Sequence, residues 1–252
     1  MQKLVEVKDL HVRYGVYEAV RGVSFDLRKG EILGIVGESG SGKSTIAKTL
    51  IGLERPSSGS IVFTCSNFSA SLQMIFQDVV GSLNPRMKIG HALAETLKVR
   101  GIVDQTPAKL LDMVGLSAAV LDQYPRELSG GQCQRVSVAR ALACRPEVLI
   151  ADEPVSALDV SVQARVLNLL RDLRRDLSLT ILLIAHDLAV VKNVCDRVCV
   201  MERGRFVDSG LSDEVFAHPT SDYTRRLLSV VPSIADCRKS ISRGPSKCLL
   251  SE

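Results

Sequence analysis

The chain has 252 residues, of which 46% are hydrophobic and 24% charged, and a formal net charge of +4. That content suffices for a large core, as one domain or one domain with a subdomain, and so mild a charge demands neither nucleic acid nor acidic lipid. The seven cysteines are odd in number and form no C-x-x-C pair, which argues against a disulfide framework or zinc site and for a reducing cytosol. With 4% aromatic residues and no Trp, the core must be aliphatic. The charged opening from Met1 to Asp9 does not read as a secretory leader, and apolar runs such as Leu179–Ala185 are too short to span a bilayer. The expectation is a soluble chain whose membrane role, if any, runs through a partner.

Residues 2–29 alternate apolar and polar. They predict antiparallel strands at Leu4–Val7, Leu10–Tyr14 and Val23–Leu27, with a turn at Arg28–Gly30. Tyr14, just before Gly15, can stack on an adenine ring or serve as a half-buried strand tyrosine. Glu31–Val36 is a short apolar run, as a buried strand should be. It leads into Gly37, Glu38, Ser39, Gly40, Ser41, Gly42, Lys43, Ser44 and Thr45, which read G-x-x-x-x-G-K-[ST], the phosphate-binding loop. Ile46, Ala47, Leu50 and Ile51 then recur at helical spacing, so the loop lies between a strand and a helix as the motif requires. Four fixed positions match by chance in about one chain in a hundred of this length. The glycines let backbone N–H groups close around phosphate oxygens, and the helix start favours the same anion. Lys43 can reach the β- and γ-phosphates, and the Ser44 hydroxyl can ligate Mg²⁺.

Residues 57–60 read as a turn, Ile61–Phe63 as a short strand and 64–72 as an irregular loop. Leu72–Phe76 reads as a strand ending at Gln77, which either points into a nucleotide cleft or is an ordinary strand-end amide. From 79 to 124 apolar residues recur every three to four positions (Ile89, Leu93, Leu97; Leu110, Leu111, Val114), which predicts a helical insert. Leu128, Ser129, Gly130, Gly131 and Gln132 precede a helical run to Cys144. Ser129 is a candidate N-cap, and the glycine pair is either a second anion-binding helix start or a plain turn. Glu147–Asp152 is a hydrophobic strand ending in the adjacent acids Asp152 and Glu153. Carboxylates there suit a metal and a water: Asp152 to hold Mg²⁺, Glu153 to polarise the attacking water. A helix is expected from Val160 to Leu177 and a strand over Thr180–Ile184, closing at His186, which is either structural or a γ-phosphate contact. Asp196–Val207 predicts a hairpin turning at Glu202–Gly204, 211–230 a helical stretch, and 233–252 a flexible tail.

Together these motifs resemble the ATP-binding subunits of ABC transporters. Leu128–Gln132 looks like that family's signature, and the phosphate loop, Gln77, the acidic strand, Ser156–Asp159 and His186 follow in the family's order. The resemblance implies an α/β fold over residues 3–232: a phosphate-loop NTPase core with an antiparallel β subdomain and a helical subdomain at about 79–145. It implies ATP hydrolysis with Glu153 and His186 as catalytic groups and Ser44, Gln77 and Asp152 around Mg²⁺. Tyr14, Gly37, Ser39–Thr45 and Gln77 would bind ATP in cis, whereas Ser129, Gly130, Gly131 and Gln132 would complete the site of a facing subunit. The implied partners are two transmembrane permeases, an extracytoplasmic binding protein and a second ATP-binding subunit, expected to be non-identical with a homodimer as the alternative, and the chain itself would lie at the cytoplasmic face of the inner membrane. Ser82–Met87 and the run from Val215 to Leu228 resemble the oligopeptide, dipeptide and nickel importer branch, so the cargo is a peptide or a nickel or metal chelate. Val79 stands where many of that branch have proline. The competing reading is a soluble ABC ATPase acting on nucleic acid or ribosomes, but only 86 positions separate Lys43 from Ser129, with no sustained heptads between them. Cys133, beside the signature, is expected to make the ATPase sensitive to thiol reagents.

Overall fold

In the computed structural model, residues 2–64, 71–156 and 158–230 are described. The expected loop at 64–72 therefore lies largely, and the expected tail at 233–252 wholly, outside the described residues. Alternation in the first thirty residues builds an antiparallel sheet. Strands β1 (Lys3–Tyr14) and β2 (Tyr17–Arg28) pair from Lys3↔Arg28 to Tyr14↔Tyr17. The two strands expected at 4–7 and 10–14 are thus one. The charged pair Lys8–Asp9 bulges rather than ending the strand: the register shifts between Val7 and Leu10, and Asp9 has φ 48°. A bulge absorbs extra residues without breaking pairing, so Val5, Val7, Leu10 and Val12 all stay buried.

After the central strand β3 (Ile32–Val36), the chain returns to β1 through β4 (Ser58–Phe63). The expected turn at 57–60 is largely strand. Gly59 has φ 92°, and a Cβ there would lie 2.2 Å from the Asp9 carbonyl oxygen. Its glycine therefore serves close approach to the bulge and not a turn.

The second sheet has the order β5-β6-β7-β3-β8-β9, with β5 (Leu72–Ile75), β6 (Val148–Asp152), β7 (Thr180–Ala185), β8 (Arg197–Glu202) and β9 (Arg205–Leu211). Its strands run parallel except β9, which returns through the Arg203–Gly204 hairpin, where the sequence puts the turn. Both faces are covered. Ile32, Val36, Leu149, Ala151, Ile181 and Leu183 join one core under the helices, while Leu33, Ile35, Val148, Ile150, Leu182 and Ile184 join another against the first sheet. The period-two exchange of side chains between faces explains why these strands read as unbroken apolar runs.

Helix α1 (Lys43–Leu50) follows the phosphate loop. The insert contains α2 (Ile89–Val99), α3 (Pro107–Met113) and two 3-10 turns at Ala118–Asp122 and Pro125–Glu127, and it feeds α4 (Gly130–Leu142). Ile89, Leu93 and Leu97 make the buried stripe of α2, as their spacing predicts. Helix α5 (Val160–Leu177) has the expected limits, with Asp159 as its N-cap. Helix α6 (Leu188–Val194) is not foreseen from sequence. The helical stretch expected at 211–230 divides into α7 (Ser212–Ala217) and α8 (Asp222–Val230) around Pro219, whose missing N–H and ring end a helix.

An ion network ties the sheets together. Arg197 on β8 donates to Glu31 Oε1 at 3.1 Å and to Asp26 Oδ1 on β2 at 3.2 Å. Glu31 is 3% exposed, and burial pushes its carboxyl above the usual range. A buried carboxylate stripped of its partner costs several kcal/mol. Replacing Arg197 by Ala should therefore lower stability by about 3 kcal/mol, read as a fall in the urea midpoint.

Candidate functional site

Three parallel strands end side by side. β3 delivers the phosphate loop, β6 delivers Asp152 and Glu153, and β7 delivers His186. The loop turns on Gly42, whose φ of 109° and distance of 2.4 Å from an added Cβ to the Ala19 carbonyl oxygen admit no other residue without strain. The Ser41 carbonyl accepts from the Gly204 N–H at 2.9 Å, so the β8–β9 hairpin braces the loop from behind. Lys43 is buried, and its Nζ donates to the Gly37 and Glu38 carbonyls at 2.8 and 2.7 Å. Burial pushes its ammonium below the ordinary lysine range, against the opposing charges of Glu153, Asp152 and Glu38.

Ser44 Oγ donates to Asp152 Oδ1 at 3.0 Å. Burial raises the Asp152 carboxyl, the Ser44 hydrogen bond opposes the rise and the Glu153 charge adds to it. A hydroxyl and a buried carboxylate at hydrogen-bond distance form the hard-oxygen set that Mg²⁺ takes, so these residues fit the ion. Glu153 has φ 47°, and its N–H donates to the Ile184 carbonyl at 3.0 Å. Its carboxylate accepts from Gln77 Nε2 at 3.0 Å and lies 3.4 Å from His186 Nδ1. Gln77 and His186 both turn toward Glu153 and line the same cleft.

Tyr14, Ser39, Gly40, Gly42, Lys43, Ser44, Thr45, Gln77, Glu153 and His186 line one cleft of about 530 Å³. Gly37 and Ser41 lie buried under the loop, and Asp152 behind Ser44. The Tyr14 ring is about half exposed at the mouth. Tyr17 also lines the cleft. It is missed from sequence, although its place directly across the two-residue turn from Tyr14 is the signal that finds it. Glu38 leaves no comparable mark, since it acts on Lys43 through its backbone carbonyl, which any residue type carries; Gly204 is legible only as a hairpin turn, not as a brace for the loop.

Ser129, Gly130, Gly131 and Gln132 do not line that cleft. Ser129 and Gly130 are exposed at the start of α4. Ser129 Oγ accepts from the Gln132 N–H at 3.3 Å, and the Ser129 N–H donates to Gln132 Oε1 at 2.9 Å, a reciprocal cap that fixes the turn. Farther along α4, Arg140 donates to the Ser82 carbonyl at 2.7 Å and to its hydroxyl at 3.3 Å. Gln163, unforeseen from sequence, holds the Val155 and Leu158 carbonyls at 3.1 and 2.9 Å. Cys133 is buried, its Sγ faces the Pro125 carbonyl at 3.5 Å, and burial pushes its thiol up. A raised, enclosed thiol is a poor nucleophile. The expected thiol sensitivity at Cys133 is therefore corrected: one helical turn past Ser129 the chain already faces the core.

A family model described as "ABC transporter" matches residues 20–156. Among curated proteins, the oligopeptide transport ATP-binding protein OppF of Lactococcus lactis is 42% identical over 270 residues, spanning 96% of this chain and 85% of the relative. OppF of Escherichia coli K12 is 44% identical over 91% of this chain and 78% of its own length. Among solved structures, cbiO1 of Clostridium perfringens, part of the cbiONQ transporter complex, superposes with a TM-score of 0.77 at 28% identity, covering 95% of this chain and all of that one. The ATP-binding cassette MJ0796, solved as a dimer with ADP and phosphate, superposes at 0.70 with 25% identity over 82% of this chain and 98% of its own. With the family model covering more than half of the chain and relatives above 40% identity along most of it, the protein belongs to the ABC transporter family, with the ATPase fold of its ATP-binding subunits.

Proposed function

We propose that this chain is the ATP-hydrolysing, energy-coupling subunit of an oligopeptide importer, its ATP-binding unit spanning 3–232 with a helical subdomain at about 79–145. One observation carries the reading: the capped Ser129 turn is exposed and stands outside the cleft formed by Lys43, Glu153 and His186. A site built for triphosphate then needs a second subunit to supply its other half. MJ0796, solved as a dimer, supports that pairing, and the OppF relatives support peptide over nickel as cargo.

In this reading ATP lies with its base against Tyr14 and its phosphates in the Gly37–Thr45 loop. Lys43 neutralises the β- and γ-phosphates. Ser44 and Asp152 would hold Mg²⁺, with Gln77 beside them; bound there, the ion screens phosphate charge. Glu153 takes the proton of the attacking water, and Gln77 and His186 hold its carboxylate in place. His186 also reaches the γ-phosphate. The products are ADP and phosphate. Gly130 and Gly131 present N–H groups and a helix start to the nucleotide on the partner, while Ser129 and Gln132 hold that start in shape and line it. None of the described helices is long and apolar enough to cross a membrane. Transport therefore runs through two permeases, with a second ATP-binding subunit, itself most simply a non-identical one, and an extracytoplasmic binding protein, the chain lying at the cytoplasmic face. The nucleic-acid alternative gains nothing from the relatives.

Glu153→Gln should keep ATP, hold the closed pair and cut hydrolysis at least about 100-fold, the scale of a general base; unchanged phosphate release overturns the assignment. Ser129→Arg should leave nucleotide titration of the isolated chain unaltered while hydrolysis by the paired subunits collapses; preserved hydrolysis removes the trans half-site. In cells whose sole copy carries Glu153→Gln, uptake of a labelled oligopeptide should fall to that of a deletion strain, and wild-type uptake rejects the importer reading.

A further inference from the structure

The last described helix makes a contact to the phosphate loop that the reaction above does not use. Tyr223, in the first turn of α8, is 5% exposed. Its hydroxyl oxygen accepts from the Glu38 N–H at 2.9 Å. That N–H belongs to the peptide whose carbonyl, on Gly37, accepts from Lys43 Nζ at 2.8 Å. One peptide plane is thus gripped at both ends, by the loop's lysine on one side and by α8 on the other. The helix start is itself fixed. Asp208 on β9, 8% exposed, accepts from the Ser221 N–H at 3.0 Å, from the Thr220 N–H at 3.2 Å and from the Thr220 and Thr224 hydroxyls. A cavity of about 430 Å³ lies beside the contact, bordered by Arg21, Ser39, Glu202 and Arg226. Where that space is not filled by packing, the hydroxyl acts as a strut between helix and loop.

We infer that Tyr223 is a positioning residue for phosphate binding, setting the Gly37–Glu38 peptide and through it Lys43. The inference rests on reading 37–45 as the phosphate loop. Without the hydroxyl the peptide can rotate, and the Lys43 ammonium loses one of its two carbonyl acceptors, keeping the Glu38 carbonyl and the longer contact to the Ser41 hydroxyl. Phosphate binding must then fix the loop as well as occupy it.

The test uses the full chain. Tyr223→Phe keeps the ring and its packing and removes the hydroxyl that accepts from the Glu38 N–H. Its KM for ATP, and its Kd for a fluorescent ATP analogue, should rise about three- to ten-fold, the effect of one hydrogen bond, with kcat at saturating ATP little changed. A purely structural tyrosine would lower the thermal midpoint and leave KM where it was, which overturns the inference, as does a variant indistinguishable from the parent. Lys43→Ala runs alongside. If it binds the analogue like the parent, the phosphate-loop reading itself fails; if it loses binding while Tyr223→Phe binds normally, only the inference about Tyr223 fails.

Discussion

Everything catalytic in this chain depends on parallel pairing of β6, β7 and β3. Val36 pairs with Ala185, and Asp152 with Ile184, so three strands finish at one level. Each strand is buried on both faces and has no freedom to slip, because a one-residue shift would send its whole side-chain set to the wrong core. The residues just beyond those ends inherit that fixity. Asp152 ends its strand and Glu153 and His186 follow theirs directly, so sheet geometry sets their spacing, whereas Lys43 stands at the far end of the braced phosphate loop.

Glu153 shows what that arrangement demands. A non-glycine residue in the left-handed region costs about 1–3 kcal/mol and persists only where its surroundings over-determine it. Here they do: the Glu153 N–H is taken by β7, and the carboxylate sits between Gln77 and His186. The turn that follows is held by Gln163 from α5 and by Ser156 Oγ, which donates to the Glu153 carbonyl at 3.1 Å. The strained residue is thus clamped by three separate elements. Such strain re-aims the side chain from the strand's axis into the cleft.

The readable part of this molecule is the part governed by period and by chemistry at strand ends. Apolar runs located β3, β6 and β7, and the adjacent acids closing β6 located Asp152 and Glu153, since packing alone has no use for them there; Gln77 and His186 stay open from local sequence and take their roles from the family resemblance. Features set by backbone contacts left weaker traces. The Asp9 bulge and the close approach of Gly59 are one event seen from two strands, and neither residue reveals its partner 50 positions away. Helix α6 has only seven residues, too few for a period to emerge. Pro219 was visible, but its effect, parting α7 from α8, follows from a ring clash that spacing does not weigh. Cys133 is buried although it follows an exposed turn, because such a turn says nothing of how quickly the helix behind it dives inward.

The Arg140 fork on Ser82 has a mechanical corollary. Ser82 lies a few residues past Gln77, and Arg140 belongs to the helix that opens at Ser129. A charged, two-pronged bond between them ties the stretch beside the Glu153 carboxylate to the helix behind the outward-facing glycine turn. Moving Ser82 without moving that helix would mean breaking both prongs, so the loop after Gln77 and the turn share one anchor.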